Sequence, residues 1–198
     1  GFLLFGLYFF VRALDKPQYM LLSALMYGLS LYAYATIWVY VPVILLVQLI
    51  YCMASKKLRF DKWLCLSGVL LAALAAPLLL FIAVNYGYID EIRTPLFSIP
   101  RLLYMRSSEL SLDGKRAKLK LLWNIFVKQN DGEIWNSPTR FGLFYYISMP
   151  FAILGIFFCI RQAIACARRR EFCPEALLLV QFFVCLPQCV LVRANVTR

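Results

Sequence analysis

From Tyr19 to Ser55 the chain carries no Asp, Glu, Lys or Arg. One helix of that length would run about 50 Å, well past a hydrocarbon core of roughly 30 Å. The run is therefore read as two membrane spans with a turn near Ala35-Thr36-Ile37. Tyr32, Tyr34, Trp38 and Tyr40 gather there as an interfacial aromatic belt does, although the same cluster also suits ordinary helix packing. Trp63–Val84, Leu143–Ile160 and Ala176–Val192 are further apolar runs, and Gly1–Val11 is too short to cross. Gly1–Val11 is read as the tail of a span whose start is missing, so the chain is expected to be an internal fragment. Hydrophobic residues make up 63% and the mean hydropathy is +0.74, more apolar than a soluble surface allows. The fold class expected is all-α: a polytopic transmembrane bundle, residues 1–85 and 143–198, around one long polar loop, residues 86–142.

The net charge of +11 does not point to nucleic acid, because of where the cations sit. Arg12 and Lys16, then Lys56, Lys57, Arg59 and Lys62, then Arg161, Arg168, Arg169 and Arg170 occupy short connections between apolar runs. With strict alternation all three connections face one side. By the positive-inside rule that side is the cytoplasm, which leaves the long loop extracytoplasmic at the cell membrane. The loop's nine cations dissent, but its length and six carboxylates weaken the objection, since long segments translocate largely regardless of charge. Anionic lipid head groups and lipid phosphates are the expected partners.

Absences narrow the chemistry. The chain has no histidine, which removes His-based triads, His proton shuttles and the commonest zinc ligand. Its seven cysteines form no CxxC pair and most lie in or beside apolar runs, where Cys packs as a small hydrophobe. No P-loop, dinucleotide-binding glycine fingerprint or HExxH occurs, and neither a metal nor a cofactor is expected. No ionisable residue falls in the middle of an expected span. Gly68, Ala72 and Ala76 recur every four residues, a face on which a neighbouring helix can approach closely, and Pro77 is expected to kink that span.

Within the loop, Lys115–Lys128 has helical spacing. Leu119, Leu122, Trp123 and Phe126 share one face, and Arg116, Lys120, Asn124 and Lys128 the other. Arg101-Leu102-Leu103-Tyr104 with Arg106 forms a second short amphipathic piece. Such pieces lie in the head-group plane or rest as solvated helices on the bundle; two of them facing one compartment suit a lipid-phosphate ligand. Asp131-Gly132, followed by Pro138, turns the chain sharply back. Asp131 and Glu133 can orient or deprotonate a hydroxyl or accept turn hydrogen bonds, and Trp135 can stack on a sugar ring or anchor at the interface. The sequon Asn195-Val196-Thr197 lies against a span end and is a weak glycosylation signal.

Gly28-Leu29-Ser30-Leu31-Tyr32-Ala33-Tyr34-Ala35, the span after it, and the loop ending in Asn130-Asp131-Gly132 with Trp135-Asn136 together resemble bacterial polytopic glycosyltransferases of the GT-C type. These are related to the dolichyl-phosphate-mannose protein mannosyltransferases. Arg193-Ala194-Asn195 is similar to an Arg-x-Asn element of that family. The resemblance implies transfer of a sugar from a polyprenyl-phosphate-linked donor to an acceptor hydroxyl on the outer face, with no nucleotide sugar used directly. It further implies that the catalytic base is an acidic residue in an early outer loop, N-terminal to this chain. The donor end of the site would then fall here, with Arg101, Arg106, Lys128 and Arg193 on the lipid phosphate and Asp131 and Asn136 on sugar or acceptor. The family pattern itself covers only Asp131, Gly132, Asn136, Arg193 and Asn195. A lipid or solute transporter and a non-catalytic membrane subunit are the alternatives; the first predicts an internal repeat and polar midplane residues, which the sequence lacks or has sparsely.

Overall fold

The computed structural model describes residues 1–33, 37–93, 98–102, 120, 123–129, 145–169 and 171–186. It falls into two units, Gly1–Arg106 and Ser107–Arg198. The first holds four helices: α1 (Phe2–Ala13), α2 (Tyr19–Ser30), α3 (Ile37–Ala54) and α4 (Lys62–Asn85). A two-stranded antiparallel hairpin follows, β1 (Ile92–Arg93) paired with β2 (Ser98–Ile99) in the register Ile92 to Ile99 and Arg93 to Ser98. The second unit holds a π-helical turn (Asn124–Lys128), then α5 (Ser148–Arg169) and α6 (Pro174–Cys185).

The all-α reading holds, with three helices long and apolar enough to cross a membrane: α3, α4 and α5. The expected pair of spans between Tyr19 and Ser55 is resolved differently. α3 is of spanning length, but α2 has 12 residues, about 18 Å, and stops at Ser30. Its end is chemically fixed. The Ser30 hydroxyl donates to the Tyr27 carbonyl at 2.6 Å, and the Trp38 indole N–H donates to the Leu31 carbonyl at 2.7 Å. Trp38 thereby takes up one of the carbonyls that a helix end leaves without a partner. Residues 34–36, where the turn was expected, lie outside the described residues.

α1 and α2 form a close antiparallel hairpin. Gly6 faces the ring of Tyr27, and a Cβ there would lie 2.9 Å from it; the Ser23 hydroxyl donates to the Gly6 carbonyl at 2.8 Å. Phe10 and Tyr27 are fully buried in this seam. Val41, Ile44, Gln48 and Cys52 recur at helical spacing and form the buried face of α3. There the Tyr27 hydroxyl and the Gln48 side-chain amide bond each other, at 2.9 Å from Nε2 and 3.2 Å to Oε1. Both groups are excluded from solvent, where a polar atom needs a partner, and each supplies one to the other.

α4 starts on Asp61, whose carboxylate accepts the Leu64 N–H at 3.0 Å as an N-cap. Its small-residue face is not the packed one: Gly68, Ala72 and Ala76 are exposed, and a Cβ at Gly68 would meet nothing. The close approach comes from α2 instead, where a Cβ on Gly28 would overlap the Leu74 side chain. Pro77 lies inside α4 and lacks the N–H of the ladder, which loosens the preceding turn. The Tyr32 hydroxyl donates to the Leu74 carbonyl in that turn, at 2.7 Å. Most of the remaining α4 surface is exposed apolar side chain, including Leu66, Val69 and Leu79, as a lipid-facing helix requires.

In the second unit the basic connection expected at Arg161 to Arg170 is largely helical. α5 runs on through Arg161, Arg168 and Arg169 because Arg161-Gln162-Ala163-Ile164-Ala165-Cys166-Ala167 contains no breaker. Arg161 therefore lies within a helix of spanning length, not beyond it; Arg170 is outside the described residues. The turn closes at Cys173, held extended before Pro174, which opens α6 in its first turn. Cys166, Cys173 and Leu177 are buried between the two helices. The Cys173 thiol donates to a Glu175 carboxylate oxygen at 3.2 Å, and desolvation followed by that bond pushes its pKa up to about 12. Residues 187–198 of the last expected span are outside the described residues.

Two substitutions probe this packing by reversible unfolding in mixed micelles. Gly28→Ala should cost about 1–3 kcal/mol through overlap with Leu74, and Leu74→Ala in the same chain should recover part of it. Tyr27→Phe and Gln48→Leu should be coupled by roughly 0.6–1.7 kcal/mol, the range for hydrogen bonds between membrane helices. Strictly additive losses in the second pair would show that the two side chains do not bond.

Candidate functional site at the end of helix α4

Arg101 is the sequence-expected site residue with the best-defined surroundings. They begin with how α4 ends. The Gly87 N–H bonds the Val84 carbonyl at 3.1 Å and the Tyr88 N–H the Ala83 carbonyl at 2.9 Å, with Gly87 in the left-handed region at φ +79°. This is a glycine cap, which a side chain at position 87 would strain. Asn85, the last residue of α4, is used at both ends of its amide. Nδ2 donates to the Phe81 carbonyl at 2.9 Å and Oδ1 accepts the Leu102 N–H at 2.8 Å.

The hairpin after the cap folds back so that Arg101 returns to the helix end. Its Nε donates to the Val84 carbonyl at 3.3 Å and its backbone N–H to Glu91 Oε1 at 3.2 Å. The other oxygen of Glu91 accepts Arg93 Nη2 at 2.7 Å, so one carboxylate ties β1 to the segment that follows β2. A guanidinium at a helix C-terminus also offsets the negative end of the helix dipole. The Arg101 amide first, and the Arg93 guanidinium second, hold the Glu91 carboxyl below its usual pKa range. Only the Nε–H of the five Arg101 guanidinium N–H groups is used among the described residues, which leaves the Nη groups able to meet an anion bidentately. Exposed Tyr86, Tyr88, Ile89 and Leu102 surround this cluster and give it an apolar margin.

Arg101 and Leu102 are not helical and are tied to the end of α4, and residues 103–106 of the short amphipathic piece lie outside the described residues. Lys128, in the second unit, is the exposed last residue of the π-helical turn. Its carbonyl accepts the Tyr146 hydroxyl at 3.4 Å, and Gln129 after it adopts the left-handed conformation at φ 50°. Of the helix expected over Lys115–Lys128, residues 115–119, 121 and 122 lie outside the described residues; Asn124–Lys128 hydrogen-bonds as a π rather than an α turn, and Trp123 before it is exposed. Arg106, Asp131, Asn136, Arg193 and Asn195 lie outside the described residues, as do Gly132, Glu133 and Trp135. Sequence reasoning passed over Glu91 and Gly87. A glycine two residues past the end of an apolar helical run is a C-cap signal and could have found the second; nothing local marks the first, whose partners lie two and ten residues away. Among the described residues no group of three His, Cys, Asp or Glu side chains is placed to hold a metal.

Glu91 supplies a pH test with a definite sign. Its folded-state pKa is depressed, so the latch is intact above the ordinary carboxylate pKa and is lost as pH falls through the lower folded value. The Arg101 amide resonance should therefore stay constant from pH 7 down into the ordinary carboxylate range and shift only below it. Glu91→Gln should abolish that titration.

No known protein family model, no curated protein and no solved structure matches this chain.

Proposed function

We propose that the chain is part of an integral membrane glycosyltransferase that moves a sugar from a polyprenyl-phosphate-linked donor to an acceptor hydroxyl on the outer face of the cell membrane. The observation that carries this reading is Arg101, held by Val84 and Glu91 at the end of a membrane-length helix with its Nη groups uncommitted among the described residues. Orientation follows from charge. The connection after α3 carries Lys56, Lys57, Arg59 and Lys62, and the positive-inside rule assigns it to the cytoplasm. α4 then delivers Asn85, Gly87 and Arg101 to the opposite side.

In the proposed reaction a carboxylate base takes the proton of the acceptor hydroxyl. The oxygen attacks the anomeric carbon, and the bond from that carbon to the phosphate oxygen breaks. The departing polyprenyl phosphate gains negative charge as it leaves, and a fixed cation in a partly dehydrated setting lowers the barrier by stabilising that charge. Arg101 is assigned that role, with Arg106, Lys128 and Arg193 as further cations and Asp131, Asn136 and Asn195 on the sugar or acceptor side. The base itself is assigned, by the family resemblance, to an acidic residue in an early outer loop.

Turnover of the full-length protein in liposomes with a polyprenyl-phosphate sugar tests the proposal. Arg101→Gln should lower it by roughly 10²-fold, with partial recovery in Arg101→Lys. Wild-type turnover in both Arg101→Gln and Arg193→Gln would remove these residues from the site, and no transfer from any lipid-linked sugar would remove the activity.

A further inference from the structure

The opposite end of the first unit carries a second charged surface that the proposed transfer reaction does not use. The α1–α2 and α3–α4 connections come together there and form a shallow cleft lined by Ala13, Leu14, Pro17, Met20, Lys57, Leu58, Arg59 and Asp61. Its lining is mostly apolar, and its cations are Lys57 and Arg59. Exposed Arg12, Lys16, Lys56 and Lys62 stand in the same two connections. Asp15 and Asp61 are the acidic residues of these connections, and the Asp61 carboxylate is already engaged in capping α4. Arg12 is turned onto Tyr8, bonding its hydroxyl at 3.3 Å. Lys57 and Arg59 make neither an ion pair nor a side-chain hydrogen bond among the described residues, where the ion pair present is Arg93–Glu91.

The connection is shaped for a bilayer surface as well as charged for it. Lys56 adopts the left-handed conformation at φ 53°, and the Lys57 and Leu58 N–H groups both bond the Cys52 carbonyl, so the α3 end is tightly closed. Phe60 then projects with 77% of its surface exposed. Lys62 Nζ lies 5.5 Å from the Trp63 ring centroid. A bare aromatic flanked by cations at the mouth of two apolar helices matches the head-group layer, where rings sit among the glycerol groups and cations among phosphates.

We propose that this cleft is a binding site for an anionic phospholipid. The phosphodiester sits between Lys57 and Arg59, and the acyl chains run along the exposed apolar flanks of α3 and α4, beside Met53, Leu66 and Val69. Free phosphate would gain nothing from the apolar lining or from Phe60, so the lipid is the occupant. The inference needs only the membrane placement of α3 and α4 and is independent of glycosyl transfer.

Native mass spectrometry of the full chain in detergent, with added phosphatidylglycerol or phosphatidylcholine and no sugar donor, tests it. The wild type should retain phosphatidylglycerol and release phosphatidylcholine. The K57Q/R59Q variant should lose phosphatidylglycerol affinity by about fivefold per charge removed, on the order of 30-fold in all. Equal retention of the two lipids, an undiminished variant, or displacement by millimolar inorganic phosphate would each overturn the proposal. Should the variant fail to fold, phosphatidylglycerol with a photoreactive group in its head group decides on the wild type: adducts must fall within residues 12–20 or 56–63, and labelling confined to other segments overturns the site.

Discussion

A carbonyl freed inside an apolar slab has no water to turn to, and the first unit is arranged around that constraint. At the end of α2 an aromatic side chain answers it: the Trp38 indole takes the Leu31 carbonyl. A second, the Tyr32 hydroxyl, bonds the Leu74 carbonyl of α4, next to the Ala73 carbonyl that Pro77 leaves without its ladder donor. Tyr32 lies just past the end of α2 and Trp38 in the first turn of α3, and each reaches a different helix. The aromatic cluster is therefore neither purely a belt nor purely packing: Tyr32 and Trp38 serve as donors to main chain, while Tyr40 is buried.

The same constraint explains how the helices meet. Association in lipid gains little from burying hydrocarbon, so closeness of backbones and interhelical hydrogen bonds matter more. Gly6 admits the Tyr27 ring and Gly28 admits Leu74, while Tyr27 carries its hydroxyl on to Gln48. One tyrosine thus ties α1, α2 and α3, and one glycine sets the spacing of α2 and α4.

Hydropathy made the class of fold legible, because it needs only composition along the chain. The run Tyr19–Ser55 had to break, and it does break between Ser30 and Ile37. What hydropathy could not give is length in the helix sense. α2 and the first part of α5 have similar apolar character, yet α2 stops where side chains cap it and α5 continues past Arg161 for want of a breaker. Gly68, Ala72 and Ala76 had the spacing of a packing face but no described partner; the partner-bearing glycine was Gly28, whose i, i+4 neighbours, Ala24 and Tyr32, are not both small. At the candidate site charge and loop position mark Arg101. Its actual anchorage, through Val84 and Glu91, depends on a hairpin that no periodicity in the sequence announced.

Arg161 has a mechanical consequence. Eight residues, about 12 Å of helix, separate its Cα from that of Arg169. A long guanidinium side chain can stretch toward head groups from below the surface, but only by the reach of its stem. In a bilayer α5 would therefore carry a draught mark: the helix can settle inward only until the Arg161 side chain, stretched to its full reach, still touches the head groups.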